Sequence, residues 1–149
     1  MRGFIVFAFV LSTSAMACPN LSGNYKVCTS STGSTTSDTV ITQSVRNGVT
    51  TYVMSHLDDE TGERISETYV ADGKVRTQSE TDPESGITFS TRSLVSCAGN
   101  NLKMNIQISA QGETFANINV TTTKVGQRMT SVTSGTIFGE PQNETEVCE

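Results

Sequence analysis

The stretch that decides the fold runs from Leu102 to Ala110 and reads LKMNIQISA. Apolar side chains stand at every second position, and Lys, Asn, Gln and Ser separate them. Successive side chains of a β-strand point to opposite faces, whereas a helix would spread these residues around its circumference. The stretch therefore predicts a strand with one dry face and one wet face.

The same period of two appears on both sides of this stretch, in Ile87–Val95 and in Ala116–Val120. Thr, Ser and Val are abundant and Leu and Ala are scarce, a composition that favours strands along the whole chain. Pairs containing Gly or Asn punctuate the chain at short intervals, as turns require. The predicted strands are residues 23–29, 38–46, 49–57, 63–71, 74–80, 87–96, 101–110, 114–123 and 127–138.

Connections this short leave no room for crossover helices, so neighbouring strands should be antiparallel. We predict an all-β, up-and-down meander of eight or nine strands that forms a barrel or a curled sheet. An odd count would make the first and last strands parallel, so one predicted segment should be false or lie outside the barrel. The longest loop, residues 30–37, is rich in Ser, Thr and Gly and is predicted to be mobile.

Residues 1–17 have the pattern of a signal peptide: Arg2, the apolar run Phe4–Leu11, then small residues up to Ala17. The run is too short for a bilayer core about 30 Å thick, and no later run is long enough, so no transmembrane segment is expected. We predict cleavage before Cys18, leaving a single all-β domain, residues 18–149, in the periplasm or outside the cell. A lipid anchor at Cys18 is the alternative, although bacterial lipoproteins usually carry Leu where this chain has Ala15.

The four cysteines are an even number, which in an exported chain indicates two disulfides. Zinc would need closely spaced ligand pairs, which the chain lacks. If the first strand runs upward, Cys18 lies at the bottom and Cys28 near the top. The sixth strand then delivers Cys97 to the bottom, and the ninth leaves Cys148 in a tail at the top. Three connectivities are possible, and pairing the cysteines that lie at the same end favours Cys18–Cys97 with Cys28–Cys148.

Charge and motif content argue against several functions. The net charge is −5 and no cluster of Lys and Arg interrupts it, which argues against nucleic-acid binding. His56 could act as a general base, but a histidine at a strand end beside a polar turn is ordinary. The acidic segment Asp58–Glu63 could hold Ca²⁺, although a polar hairpin tip explains the same residues. With all four cysteines paired, no thiol nucleophile remains, so we predict no enzyme, metal or cofactor.

Gly23 and Tyr25 open the first predicted strand and resemble the Gly-x-Trp element of lipocalins and their calycin relatives, with Tyr in place of Trp. The family's Thr-Asp-Tyr motif is matched only at Thr81 and Asp82, and Arg128 is the nearest counterpart of its late arginine. The resemblance implies an eight-stranded barrel with a small apolar ligand inside. The chain has no Trp, so the biotin pocket of the avidin branch is not expected.

The sequence thus predicts an exported, non-enzymatic β-barrel, and the resemblance to lipocalins implies that it binds a small apolar ligand. The ligand-lining candidates, for which plain core packing is the default role, are Tyr25, Tyr52, Met54, Phe89, Met104, Ile106 and Phe115. The alternative is an envelope or surface-associated interaction module. In that case the Thr-rich strand faces and residues 30–37 would contact a protein or glycan partner.

Overall fold

The structure is a computed structural model that describes residues 18–58 and 61–149. The predicted signal peptide, residues 1–17, lies outside the described residues. The strands are β1 (Gly23–Ser30), β2 (Thr35–Arg46), β3 (Val49–Leu57), β4 (Arg64–Ala71), β5 (Val75–Thr81), β6 (Thr88–Ala98), β7 (Asn101–Ala110), β8 (Glu113–Val125), β9 (Arg128–Ile137) and β10 (Glu140–Cys148). Within the described ranges, no helical segment has both the length and the apolar character that a membrane crossing requires.

All ten strands belong to one antiparallel sheet with the order β4-β3-β2-β1-β10-β9-β8-β7-β6-β5. The first and last strands of the chain therefore pair with each other, and the sheet curls into a half-barrel. The break falls between β4 and β5, which are consecutive in sequence but do not pair. Their connecting turn reaches across the gap, since the Gly73 amide donates to the Val95 carbonyl on β6 at 2.9 Å. The prediction of an all-β antiparallel meander that curls is confirmed.

The predicted count of eight or nine strands is wrong, because the sequence pattern omits β10 and not because a predicted strand is false. A two-residue turn at Phe138 and Gly139, with φ of 50° and 79°, reverses the chain. Such turns usually carry Asn-Gly, so Phe138 gives no turn signal. Pro141 and the polar residues that follow also read as a tail. With an even count, the first strand β1 and the last strand β10 run antiparallel and pair as neighbours. An odd count would have made them parallel.

The predicted extent of the loop at residues 30–37 is also wrong, because half of these residues belong to β1 and β2 and the whole segment forms a tight hairpin. The Ser30 amide donates to the Ser34 carbonyl at 2.9 Å, and the Gly33 amide donates to the Ser30 carbonyl at 3.0 Å. The connection between β1 and β2 is therefore Ser31–Ser34, and β2 starts three residues earlier than the sequence suggests.

The core lies at the end of the sheet where β6 ends and β7 and β9 begin. Its largest fully buried side chains are Tyr25, Tyr52, Leu21, Ile41 and Leu102. The segment that precedes β1 passes across this end, and two tyrosines bind its backbone. The Tyr25 hydroxyl donates to the Leu21 carbonyl at 2.8 Å, and the Tyr52 hydroxyl donates to the Pro19 carbonyl at 2.7 Å. Buried polar tips are thereby satisfied while the rings close one end of the half-barrel.

The cation that contacts the Tyr25 ring is a lysine, and Arg128 lies elsewhere. The Lys124 ammonium lies 5.5 Å from the ring centroid and donates to the Ser22 carbonyl at 2.6 Å. Arg128 instead lies 3.7 Å from the carboxylate of Glu149. At the closed end, Lys124 therefore joins the Tyr25 ring to the segment before β1, whereas Arg128 forms an ion pair with Glu149.

Both predicted disulfides are confirmed, Cys18–Cys97 and Cys28–Cys148. The first ties the segment before β1 to the end of β6. The second joins residues that face each other across β1 and β10. The predicted place of Cys148 is wrong, since it ends a strand and does not lie in a tail.

Gly135 on β9 is predicted to be intolerant of any side chain. Its φ is 147°, and a Cβ built on it would lie 2.0 Å from the Asn117 carbonyl oxygen on β8. Gly135→Ala is expected to lower the free energy of unfolding by about 2 to 4 kcal/mol through backbone strain and overpacking. Urea denaturation measures the loss, with the exposed neighbour Thr136→Ala as control. Equal stability of the two variants would contradict the close approach of β8 and β9.

Candidate functional site

The concave side of the curled sheet holds a pocket of about 320 Å³, which we call the cup. Side chains from β2, β3, β7, β8 and β9 give it an apolar floor, consisting of Ile41, Met54, Met104, Val120 and Met129. The floor rests on the buried core. Methionine is flexible and polarizable, so a floor of this kind adapts to ligands of different shape.

The wall of the cup is polar. Its hydroxyl groups come from Thr36 and Thr39 on β2, Thr122 on β8, and Ser131 and Thr133 on β9. Its ionisable side chains are His56 on β3, Glu67 on β4, and Glu144 and Glu146 on β10. Three carboxylates and one imidazole make this wall acidic, so it favours hydrogen-bond donors over anions.

On two neighbouring strands, β1 and β2, the alternation of inward and outward side chains is interrupted, and this places additional hydroxyl groups in the cup. On β1 both Tyr25 and Cys28 are buried although they lie three positions apart, and Val27 between them is 51% exposed. On β2 the matching irregularity is Asp38, with a φ of 52°. Strict alternation would send either Thr36 or Thr39 outward, but here both line the cup.

Hydroxyl donors hold the β10 carboxylates in position. The Glu144 carboxylate accepts a hydrogen bond from the Ser30 hydroxyl, and the Thr32 hydroxyl lies 3.4 Å away. The Glu146 carboxylate accepts from the Thr36 hydroxyl at 3.4 Å. All of these partners are neutral hydroxyl groups, so none of these contacts supplies a positive charge that would balance the carboxylates.

Burial and bonding also affect two tyrosines near the cup. Burial raises the pKa of the Tyr52 hydroxyl to about 12. Burial, and then the hydrogen bond that the Tyr69 hydroxyl donates to Glu67, raise the pKa of Tyr69 well above its usual value. Both phenols therefore stay protonated at neutral pH and act as hydrogen-bond donors.

The structure distributes the predicted lining residues over different parts of the fold. Met54 and Met104 lie in the floor of the cup, with Tyr25 and Tyr52 in the core beneath it. Ile106 lines a second cleft, about 540 Å³ in volume, between β4 and the β5–β6 pair. Phe89 and Phe115 form an aromatic cluster with Phe138, where neighbouring ring centroids are 6.0 and 5.0 Å apart.

The sequence pattern does not reveal the charged wall. Glu67, Glu144 and Glu146 are polar residues, whereas hydrophobic alternation assigns only apolar residues to an interior. The available signal is the spacing of Glu144 and Glu146, which alternate with Thr145 on a segment that follows a glycine. His56 reads in the sequence as a residue of a strand end, yet the structure places it in the wall of the cup.

No family model, curated protein or solved structure matches this chain. Function is therefore inferred from the geometry of the cup and from the edges of the sheet.

Two places could suggest a metal site. Cys28, Cys148 and Glu146 bring three potential ligand atoms together, but the two cysteines form a disulfide and supply no thiolate. At the β3–β4 hairpin tip, the Asp58 carboxylate accepts from the Thr61 amide at 2.7 Å and from its hydroxyl at 2.9 Å. These bonds are those of a polar turn. Asp59 and Glu60 lie outside the described residues.

Proposed function

We propose that this protein is an exported, non-enzymatic carrier that holds a small amphipathic molecule in the cup. The single observation that carries the proposal is the composition of the cup, with methionines below and carboxylates above. A pocket of about 320 Å³ lies at the lower end of the range for small-molecule sites, roughly 300 to 1,000 Å³. Two disulfides support an oxidising, extracytoplasmic compartment.

The acidic wall modifies the ligand class implied by the resemblance to lipocalins. A wholly apolar ligand would desolvate Glu144 and Glu146 without replacing their hydrogen bonds, which is costly. A ligand with an alkyl portion and a hydroxyl or ammonium group satisfies both surfaces. Its alkyl portion rests on the methionine floor, and its donor faces the carboxylates of β10.

The bonding of potential nucleophiles supports a carrier rather than an enzyme. The four cysteines are consumed by disulfides. The Ser30 hydroxyl bonds to Glu144, and the Ser131 hydroxyl bonds to Thr122 at 3.0 Å. Nucleophilic catalysis needs a hydroxyl bonded to a base that is itself oriented by a third group. Ser131 is bonded to a hydroxyl and not to a base, so it lacks that arrangement, whereas Ser30 does contact a carboxylate.

The three methionines beyond residue 17 are Met54, Met104 and Met129, and all three lie in the floor of the cup. Their ¹³C-methyl NMR signals therefore report directly on its occupancy. Octylamine is expected to shift the three methyl resonances with saturable behaviour, and octanoate is expected to bind more weakly because the wall repels its carboxylate. Unchanged methyl resonances with both probes would contradict the carrier function.

A matched pair of variants on β9 locates the binding. Thr133→Trp places an indole inside the cup and is expected to abolish the methyl shifts. Val132→Trp places the same group on the outer face, where Val132 is 47% exposed, and is expected to leave binding unchanged. If both variants bind octylamine like the parent protein, the ligand lies elsewhere.

A second candidate function is the surface-associated interaction module, favoured by the unpaired edges of β4 and β5. An exposed sheet edge presents backbone donors and acceptors to an incoming strand. A carrier and an interaction module are compatible, since the cup and the β5 edge use different residues.

A further inference from the structure

The free edge of β5 is the least protected part of the sheet. β5 pairs with β6 along Val75–Thr81, and no strand among residues 18–58 and 61–149 pairs with its other edge. Six of its seven residues are exposed, including Val75 at 45%. The cleft of about 540 Å³ beside β4 leaves open space next to this edge. Natural proteins usually cover such an edge or place charges against pairing, so the charges on β5 decide what it can accept.

The charges on β5 and its flanks are arranged with opposite signs about the central residue, Gln78. Residues 74–82 read KVRTQSETD, with the cations Lys74 and Arg76 before the centre and the anions Glu80 and Asp82 after it. When this strand lies antiparallel to a copy of itself about Gln78, Arg76 faces Glu80 of the other copy and Lys74 faces Asp82. Directly opposed opposite charges stabilise antiparallel pairs, and like charges destabilise them.

We propose that β5 pairs antiparallel with β5 of a second copy of this chain, with Gln78 on the two-fold axis. This register pairs all seven residues of the strand. The contact is isologous, so it closes as a dimer and does not propagate into a fibre. The two sheets then join into one continuous sheet, and each copy loses an exposed edge.

The other edge strand, β4, does not have this property. Pairing Arg64–Ala71 with itself over its full length sets Arg64 opposite Ala71 and Glu67 opposite Thr68. It places no cation opposite a carboxylate. The charge pattern therefore selects β5, and not sheet edges in general, as the self-pairing surface.

Arg76 has several partners in its own chain but keeps donors free. Besides its bonds to Asp72, its Nη1 donates to the Val70 and Lys74 carbonyls, each at 3.4 Å. Its guanidinium forms a fork with Asp72, with both N–O distances 2.9 Å, and its side chain remains 39% exposed. A guanidinium has five N–H donors, so it can bind Asp72 and Glu80 of the other copy together. Asp72 fixes the direction of the Arg76 side chain and in this way prepares the edge for pairing.

Charge reversal tests the proposal, with sedimentation velocity from low to high micromolar concentration as the measurement. The parent protein is expected to be a concentration-dependent dimer. Arg76→Glu and Glu80→Arg each set two like-charged pairs across the axis and are expected to weaken association by roughly tenfold or more. Glu80→Arg leaves the Asp72 fork intact, and Lys103→Glu on the outer face of β7 controls for the change in net charge.

Mixing the two single variants gives the decisive result. In a heterodimer, positions 76 and 80 are both glutamate in the Arg76→Glu copy and both arginine in the Glu80→Arg copy, so every cross-axis pair joins opposite charges. An equimolar mixture is therefore expected to dimerise at concentrations where neither variant does so alone. Circular dichroism checks that both variants are folded. The proposal is overturned if the parent protein is monomeric throughout, if the single variants associate like the parent, or if the mixture stays monomeric.

Discussion

Replacing Cys28 and Cys148 together by alanine is expected to lower the free energy of unfolding by about 5 kcal/mol. The two residues are separated by 120 positions, so their link removes much of the conformational entropy of the unfolded chain. A loss of this size is a large part of the usual total of about 5 to 15 kcal/mol. It corresponds to a fall in melting temperature of roughly 15 to 20 °C.

The native structure makes this disulfide important at one junction in particular. β1 and β10 pair over only three residues of each strand, Cys28–Ser30 with Glu146–Cys148. Four further backbone bonds extend this junction. The Lys26 and Val27 amides donate to the Glu149 carbonyl at 2.8 and 3.4 Å, the Glu149 amide donates to the Val27 carbonyl at 3.0 Å, and the Ser31 amide donates to the Thr145 carbonyl at 2.8 Å. The other neighbouring strands of the sheet pair over longer stretches, so the β1–β10 junction is the place where the sheet opens first once the link is removed.

The control is Cys18→Ala with Cys97→Ala, whose separation of 79 positions gives a similar entropic loss of about 4.5 kcal/mol. The two double variants differ in where they loosen. Hydrogen exchange should accelerate at Thr29 and Val147 when the β1–β10 link is removed, and near Leu21 when the other link is removed. Unchanged stability in chemical denaturation would mean that the sheet holds its ends together without the sulfur bridges.

The disulfide pairing is predicted correctly although β10 is missed, and the register of β10 explains why. Alternating strand direction determines at which end of a meander each residue lies, and by that rule a tenth strand without stagger would carry Cys148 to the other end of the sheet from Cys28. β9 ends at the same end of the sheet as β1, as predicted. The unpredicted β10 turns back from there, and its staggered register brings Cys148 opposite Cys28.

The charged wall of the cup cannot be predicted in the same way, because hydrophobic alternation identifies only strands whose inner face is apolar. β7 has such a face, and the prediction of a strand from Leu102 to Ala110 is confirmed. β10 presents Glu144 and Glu146 to the interior instead. A strand that lines a polar cavity has the same sequence pattern as a solvated tail. Hydrophobic alternation therefore predicts neither the strand nor its contribution to the cup.

The open edge of the sheet depends on contacts that no pattern specifies. The sequence predicts a turn at Asp72 and Gly73, but a turn there could equally form a β4–β5 hairpin. In the structure the Arg76 guanidinium bonds to Asp72 and to the Val70 carbonyl, and the Gly73 amide bonds to β6. These bonds direct β5 toward β6 and leave β4 unpaired on one side.

Replacing Tyr52 by alanine is expected to destabilise the protein by about 3 to 5 kcal/mol. The side chain is fully buried in the core beneath the cup, and truncation leaves a cavity that this small core cannot refill. The hydroxyl would also be lost as a donor to the Pro19 carbonyl. Thermal or urea denaturation measures the effect, which should appear without any change at the β5 edge.

Tyr52→Phe separates the ring from the hydroxyl, and alkaline pH provides the readout. The variant keeps the packing and is expected to lose about 1 to 2 kcal/mol, because the Pro19 carbonyl is left unpaired. The pKa of Tyr52 is 10.0 when unfolded and about 12 when folded, so its protonated form favours the native state. That contribution is complete below a pH of about 10 and is lost as the pH rises to about 12. Tyr69 titrates in both proteins, so the difference between their curves of unfolding free energy against pH reports on Tyr52 alone. Parallel curves above a pH of about 10 would refute the burial of Tyr52.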